Sequence, residues 1–509
     1  MKIVLISADE SKVGMGVRTL SSCLRKKGFD TVIVIMANLE SAYKDFNWNE
    51  LFDLCKESSL IGISFMTHAV KKAIDIKNRL SAVTSVPIVA GGIHATLDPD
   101  SLLKNFNYVC HGEGEDLIAE MAEKLETGKS IIDIPGLWLK QKETVIKNRA
   151  IPLSMDIGSY PFPDYEMNHQ YVLDGSSLAP IQPIPMHMSI EDFVILGSRG
   201  CPHHCTYCSN MKIKSDFPWR KKVFNYSVDY LIDNMKEVKL LFPSVKSFWI
   251  EDDTFFIKDL SEIKYFAGRY KEEISLPFKI LISPWTYCKE KLDPLINAGM
   301  DKLIMGIQSG CERVNKNIYA RNISNNRLLQ ITAELHTYHK LLKCYDFIGM
   351  NPFETAEDLI ETVRFILRIP VPFFIFSNNL AFYPGTELSN KAICSGIETS
   401  RRVKHSESNI GYGIILHEKL DHKIFHLILL LMSGKATQSR FGAVPRFILS
   451  DAALKLYENL NRKYPRLWNG IAISVAFACN NLNWRKFVKM TFSPATISSV
   501  RHFLAKIKR

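Results

Sequence analysis

The chain has 509 residues, 46% hydrophobic and 23% charged, an ordinary globular composition with length for two or three domains. No apolar run approaches 18 residues, which excludes a helical membrane span, and the short apolar start Met1–Ser7 lacks the features of a signal peptide. Eleven cysteines, an odd number and mostly scattered singly, exclude a disulfide framework and point to reduced thiols in a cytoplasmic protein. The net charge of +11 is uneven: from Arg401 onward nineteen Lys and Arg face five Asp and Glu, so the basic character is C-terminal.

Residues 1–150 alternate strand and helix patterns, read as one domain. Lys2–Ser7 reads as a strand, Val17–Lys27 as a helix ending at Gly28, and Thr31–Met36 as a strand. Leu60–Phe65 and Val86–Ala90 are further strands around a helix at Ala69–Ala82; a short strand, Asn107–Cys110, then precedes a helix at Glu115–Glu126. Such alternation predicts a doubly wound parallel sheet whose ligand sits beyond the strand C-termini. Three of those ends stand out: Ser64 to Thr67, then Gly91, Gly92, His94 and Thr96, then Gly112, Glu113, Gly114 and Glu115. Glycines there admit a large flat ligand, and small hydroxyls can bond its edge. Residues 135–148 read as a hairpin. Residues 151–190, rich in proline, read as an extended linker.

Phe193–Leu196 reads as a buried strand leading into Cys201, Cys205 and Cys208, spaced C-x3-C-x2-C. Three thiolates on one short loop can bind three irons of a cubane and leave the fourth open for chemistry. Structural zinc normally shows a second C-x2-4-C pair downstream, and none follows here. Further strands are expected at Ser247–Ile250, Phe278–Ile282, Lys302–Gly306, Lys343–Ile348 and Phe373–Leu380, with helices such as Val228–Leu240, Leu260–Tyr270 and Ala356–Leu367 between them. Six βα units over 191–390 predict an incomplete TIM-like (βα)6 barrel with functional loops at the strand C-terminal ends.

Residues 391–509 are expected to be a basic, mostly helical region. Ile424–Met432 is an apolar run too short to span a bilayer, and Val500, Phe503, Leu504 and Ile507 share one face of a basic terminal helix suited to an anionic membrane surface. No aromatic-rich basic motif calls for nucleic acid.

The cysteine motif, with Tyr207 before its third cysteine, resembles the radical AdoMet superfamily, as do Glu251-Asp252-Asp253, Gly306–Gly310 and Tyr383-Pro384-Gly385-Thr386. The three glycine-rich loops in order resemble the cobalamin-binding domain that precedes many such enzymes. The resemblance implies one [4Fe-4S] cluster on Cys201, Cys205 and Cys208. It also implies AdoMet contacts at Tyr207, Glu251, Asp252, Asp253, Ser283 and Gln308. Cobalamin contacts are implied at Ser64, Thr67, Gly91, Gly92, His94, Thr96, Gly112, Glu113, Gly114 and Glu115. Two departures stand out. The first-strand loop, Asp9 to Gly16, lacks the D-x-H-x-x-G histidine that ligates cobalt in some relatives. The turn at Met350–Thr355 is one residue longer than the usual G-x-P-G-E-T.

The implied activity is reductive cleavage of AdoMet to a 5′-deoxyadenosyl radical, with methylation of an unactivated carbon through methylcobalamin. A small-molecule or lipid-like substrate and an external electron donor such as flavodoxin or ferredoxin are expected, together with peripheral membrane contact through the terminal helix. Alternatives are a cobalamin-dependent oxidative cyclase and a non-catalytic cobalamin sensor. A third is a tRNA methylthiotransferase, which would need a second cluster on Cys23, Cys55 and Cys110.

Overall fold

A computed structural model describes residues 1–9, 13–37, 43, 45–152, 156–181, 192–370, 372–397 and 399. The first sheet contains β1 (Lys2–Ser7), β2 (Asp30–Ile35), β3 (Leu60–Ser64), β4 (Ile88–Gly91) and β5 (Tyr108–Cys110). Two hairpins complete it, β6 (Leu137–Gln141) with β7 (Thr144–Lys147) and β8 (Gln170–Asp174) with β9 (Ser177–Pro180). Its order is β7-β6-β5-β4-β3-β1-β2-β8-β9. The strands from β5 to β8 run parallel, and each edge is closed by an antiparallel hairpin.

Alternation along β1 explains why this sheet is covered on both faces. Val4 and Ile6 enter one apolar core while Ile3 and Leu5 enter the other, all fully buried. Each such side chain contributes about 1.5–3 kcal/mol by leaving water. The order 5-4-3-1-2 reverses direction between β1 and β3, the switch point where doubly wound sheets bind ligands.

The hairpin β8–β9 corrects the expectation of an extended linker over 151–190. Val172 and Leu173 are buried and β8 pairs in parallel with β2, so within that span residues 170–180 extend the first sheet. Prolines flank the hairpin rather than interrupt it, apart from Pro180 on the outermost strand, where a missing N–H costs little.

The second sheet follows in chain order: β10 (Asp192–Ile195), then β13 (Ser247–Ile250), β14 (Phe278–Ile282), β15 (Met300–Gln308), β16 (Leu342–Gly349) and β17 (Phe374–Asn379). The small ladder β11 (Ser198–Arg199) with β12 (Phe224–Asn225) lies between β10 and β13 in sequence. Each strand of the six precedes a helix, as expected for βα units, and the sheet is open at β10 and β17. Several helices start on local caps: Ser227 on Val228–Leu241, a reciprocal Asp259/Glu262 box on Leu260–Glu273, and Thr355/Asp358 on Ala356–Ile366.

By contacts the chain forms two compact units. One comprises Met1–Lys279, Glu290–Gly299 and Tyr383–Ser395; the other is built from Ile280–Lys289 and Met300–Phe382 with the described residues after 395. No helix among the described residues is long and apolar enough to cross a membrane. The apolar run Ile424–Met432, the basic terminal helix and loop residues 10–12 lie outside the described residues.

Candidate active site

In the first unit the cysteine loop is fastened from below. Cys208 N donates to Cys205 O at 3.0 Å, closing the turn. Lys214, buried on the helix Ser209–Asp216, donates to Cys201 O at 3.1 Å and to His203 O. Cys205 is buried, while Cys201 and Cys208 are half-buried. Burial, with Asp253 and the neighbouring thiols adding to it, pushes the Cys201 thiol up to about 12; burial likewise lifts Cys208 to about 11. A bound metal reverses that by selecting the thiolate. Among the described residues no three Cys, His, Asp or Glu side chains converge as on a single ion. Cysteines that each bind a different iron of a cubane need not converge in that way.

The acidic strand end after β13 divides by direction. Asp253 accepts from Asn210 Nδ2 at 3.0 Å, and Asn210 stands two residues after Cys208. Glu251 and Asp253 reach the surface, yet enough protein crowds both carboxyls to raise them above the ordinary range. Asp252 turns inward and is 2% exposed. It accepts from Gly197 N at 2.6 Å and faces the buried Lys258 at 3.8 Å. Its carboxylate therefore anchors the start of the cysteine loop, and only its two neighbours present theirs outward. Tyr207 is half-buried within the loop.

The loops of the first sheet enclose a cavity of about 330 Å³ that runs from the strand ends down beside Leu5, Val89 and Leu117. Ser64, Gly91, Gly92, Thr96, Gly112, Glu113, Gly114 and Glu115 line it, as does Gly16. Gly92 adopts φ +89°, and a Cβ there would stand 2.7 Å from both Phe65 N and Phe65 O, so the turn accepts only glycine. Thr67 and His94 are absent from the wall. They bond each other, His94 Nδ1 to Thr67 Oγ1 at 3.2 Å, and tie two loops together; burial pushes the imidazole down. Among the described residues no histidine lines this cavity.

Two residues that the sequence did not mark as ligand contacts join this cavity to the cysteine loop. Arg199, two residues before Cys201, pairs with Glu115 at 2.6 Å and Glu113 at 3.2 Å and donates to the Tyr226 hydroxyl. Arg220 lies 3.1 Å from the other oxygen of Glu113. Glu113 and Glu115, expected to touch cobalamin, thus spend their charge on arginines. The helix Ser209–Asp216 reinforces the link, because Ile213 and Phe217 form one apolar cluster with Leu97 of the helix Ile93–Leu97.

In the second unit, Ser283 is buried in its own turn and accepts from Trp285 N at 3.3 Å. Gln308 ends β15 at φ +69°, a strained conformation for a side-chain-bearing residue, with its amide folded back over Gly306. On β16, Asp346 lies opposite Gly306 and beside the half-exposed Phe376. Its Oδ1 is buried, and burial alone lifts its carboxyl to about 7. The folded state therefore favours the acid form. Its stability is full below the ordinary carboxylate value of 3.8 and falls as pH rises to about 7. Equilibrium unfolding should show a slope of up to about 1.4 kcal/mol per pH unit in that window. Asp346→Asn should flatten it; an unchanged slope would place the titration elsewhere.

The fold is that of an α/β protein in which a doubly wound domain with a cavity at its strand ends precedes a βα-repeat domain carrying a three-cysteine loop. Comparison with known proteins makes the class specific. Residues 1–122 match the B12 binding domain family and residues 195–366 the radical SAM superfamily, together more than half of the chain. An uncharacterized methyltransferase of Pyrococcus horikoshii is 24% identical over 417 residues, covering 78% of this chain and 84% of the relative. Cytidylyl-2-hydroxyethylphosphonate methyltransferase of Streptomyces wedmorensis is 22% identical, over 56% of this chain and 55% of its own length. Two solved structures share the fold. The cobalamin-dependent radical enzyme OxsB has a TM-score of 0.67 at 13% identity, over 99% of this chain and 83% of that one. The radical methyltransferase TsrM of Kitasatospora setae has 0.63 at 15% identity, over 78% and 77%.

The chain belongs to the cobalamin-binding radical SAM family of methyltransferase-like enzymes. The cofactors of that family are cobalamin, S-adenosylmethionine and a [4Fe-4S] cluster.

Proposed function

We propose that the chain is a C-methyltransferase that places a methyl group on an unactivated carbon of a small molecule. Cys201, Cys205 and Cys208 would hold the cluster, and Glu251 and Asp253 would receive the cationic end of AdoMet, for which outward carboxylates are suited. Tyr207 is proposed to complete the AdoMet contacts of this unit, and Ser283 and Gln308 are proposed as AdoMet contacts within the second unit. Ser64, Gly91, Gly92, Thr96, Gly112 and Gly114 would seat cobalamin along the cavity, and Thr67 with His94 would brace that seat from behind. When bound, these groups supply reductive AdoMet cleavage, hydrogen-atom abstraction and a transferable methyl group; the protein binds, orients and shields them.

The observation that carries the reading is the Arg199 bridge. One side chain beside the first cysteine pairs with Glu113 and Glu115, and this tie between the cysteine loop and a glycine loop supports reading them together. The external electron donor is proposed to be a flavodoxin or ferredoxin.

The test needs no substrate. Full-length protein carrying its cluster is incubated anaerobically with reductant, cobalamin and AdoMet bearing a deuterated methyl group. Recovery of the labelled methyl on cobalamin is the expected result. Deoxyadenosine release without label on cobalamin would reject methyl transfer and leave the oxidative cyclase reading, an activity named in several relatives.

A further inference from the structure

The cysteine loop rests on a buried cation. Lys214, on the helix Ser209–Asp216, is 4% exposed. Its Nζ donates to Cys201 O at 3.1 Å and to His203 O, both within the loop. Among the described residues no carboxylate lies within ion-pair distance of that ammonium. Lys258, buried at the start of the same loop, has Asp252 at 3.8 Å. Burying an ammonium without a counter-charge is costly, and carbonyl dipoles offset only part of that cost. Burial works against the charge of Lys214; the groups that favour it are Cys201, Cys208 and Cys205, then Asp253. Asp253 is itself engaged, accepting from Asn210 at 3.0 Å.

The rest of the helix has the same polarity. Asn210 stands one turn before Lys214, and its Nδ2 also reaches Cys208 Sγ at 3.9 Å. The helix starts directly after Cys208, so its positive dipole end adjoins that sulfur. Dipole, amide and ammonium all favour negative charge on the loop. A cubane held by three thiolates is an anion when oxidised and gains one more negative charge on taking up an electron. A fixed cation therefore stabilises the reduced form more than the oxidised one.

We propose that Lys214 is the counter-cation of the cluster and raises its reduction potential, easing uptake of the electron that starts AdoMet cleavage. The proposal rests on the cluster assignment to Cys201, Cys205 and Cys208 given above. Lys214 is a positioning residue that acts by charge and not by ligation; net charge and hydrogen bonds to sulfur are levers that set cluster potentials. The step itself is transfer of one electron from an external reductant to the cluster, with no bond made or broken.

Full-length protein, reconstituted anaerobically without cobalamin, is poised at a series of potentials with titanium(III) citrate and low-potential mediators. The reduced cluster is counted by its electron paramagnetic resonance signal. Lys214→Met and Lys214→Gln both remove the charge, and the second still offers N–H donors to the loop carbonyls. Lys214→Arg keeps charge and donors. The neutral variants should lower the equilibrium constant for reduction by about 10- to 100-fold, a shift of about 59 to 118 mV to lower potential at about 59 mV per tenfold for one electron. Lys214→Arg should stay within about threefold of the parent.

Neutral variants at the parent potential would overturn the proposal. An arginine variant displaced as far as the neutral ones would also overturn it, because loop geometry and not charge would then set the potential. If neither neutral variant holds about four irons per chain, iron content becomes the readout. Full iron in Lys214→Arg then supports the counter-cation role, and loss of iron there makes the residue a strut of the loop and overturns it. A parent that takes up no iron overturns the cluster assignment itself, and the proposal with it.

Discussion

Cys205→Ala protein, reconstituted anaerobically, should hold almost no iron where the parent holds about four atoms per chain. It should cleave AdoMet at under about a hundredth of the parent rate, because outer-sphere partners of a metal alone are worth about 10- to 100-fold and a direct ligand exceeds them. Cys205 is the most buried of the three thiols, and its carbonyl closes the turn that presents Cys208. The substitution keeps that backbone bond. The loop also remains held by Lys214 and by Asp252 on Gly197, so the fold should survive while the iron is lost. Cys394→Ala, at an exposed position on the helix Glu387–Cys394, is the control and should retain all of its iron. An iron count unchanged in Cys205→Ala would refute the cluster assignment. About eight irons in the parent would instead point to a second cluster, for which Cys23, Cys55 and Cys110 are not placed, because Cys55 and Cys110 lie in the cores on opposite faces of the first sheet.

The second large effect is expected at Gly92. A methyl group there meets the Phe65 backbone on both sides at 2.7 Å, and the residue must also hold φ +89°. The conformation, φ +89° with ψ −174°, costs a side-chain-bearing residue about 1–3 kcal/mol, and crowding against backbone that cannot move aside adds about 1–3 kcal/mol. Gly92→Ala should therefore displace the turn between β4 and the helix Ile93–Leu97 and weaken cobalamin binding by about 10-fold or more. Iron content should be unaffected, because the cysteine loop has its own anchors. The two measurements divide the outcomes: loss of cobalamin with full iron locates the seat at this turn. Parent-like cobalamin affinity would place it elsewhere.

Absorbance and electron paramagnetic resonance of the cobalamin-loaded protein carry a related expectation. Among the described residues no histidine lines the cavity, and the loop after β1 contains none between Asp9 and Gly16, so a histidine-nitrogen ligand to cobalt should be absent from the spectra.

Particular residues show how much of this was legible beforehand. The bounds of β1, β13, β14 and the helix Glu115–Glu126 match those expected from periodicity, because apolar alternation and helix signals are written within a few residues of one another. The cysteine motif was readable for the same reason: seven residues carry all three thiols. Residues 170–180 were not, since a six-residue rise and fall of apolar side chains among prolines carries no mark of the strand it will pair with. That strand, β2, lies more than 130 residues earlier.

Sequence alone therefore determined the strand–helix alternation, the order of the glycine loops and the three-cysteine loop, features whose physics is local. Tertiary structure decided which polar groups remain available. It turned Asp252 inward onto Gly197 and left Asp253 beside Asn210. It also paired His94 with Thr67, and occupied Glu113 and Glu115 with Arg199. A charged group's role follows from its partner and its burial, and here the partners come from 27 to 86 positions away in the chain, distances at which residue spacing carries no signal.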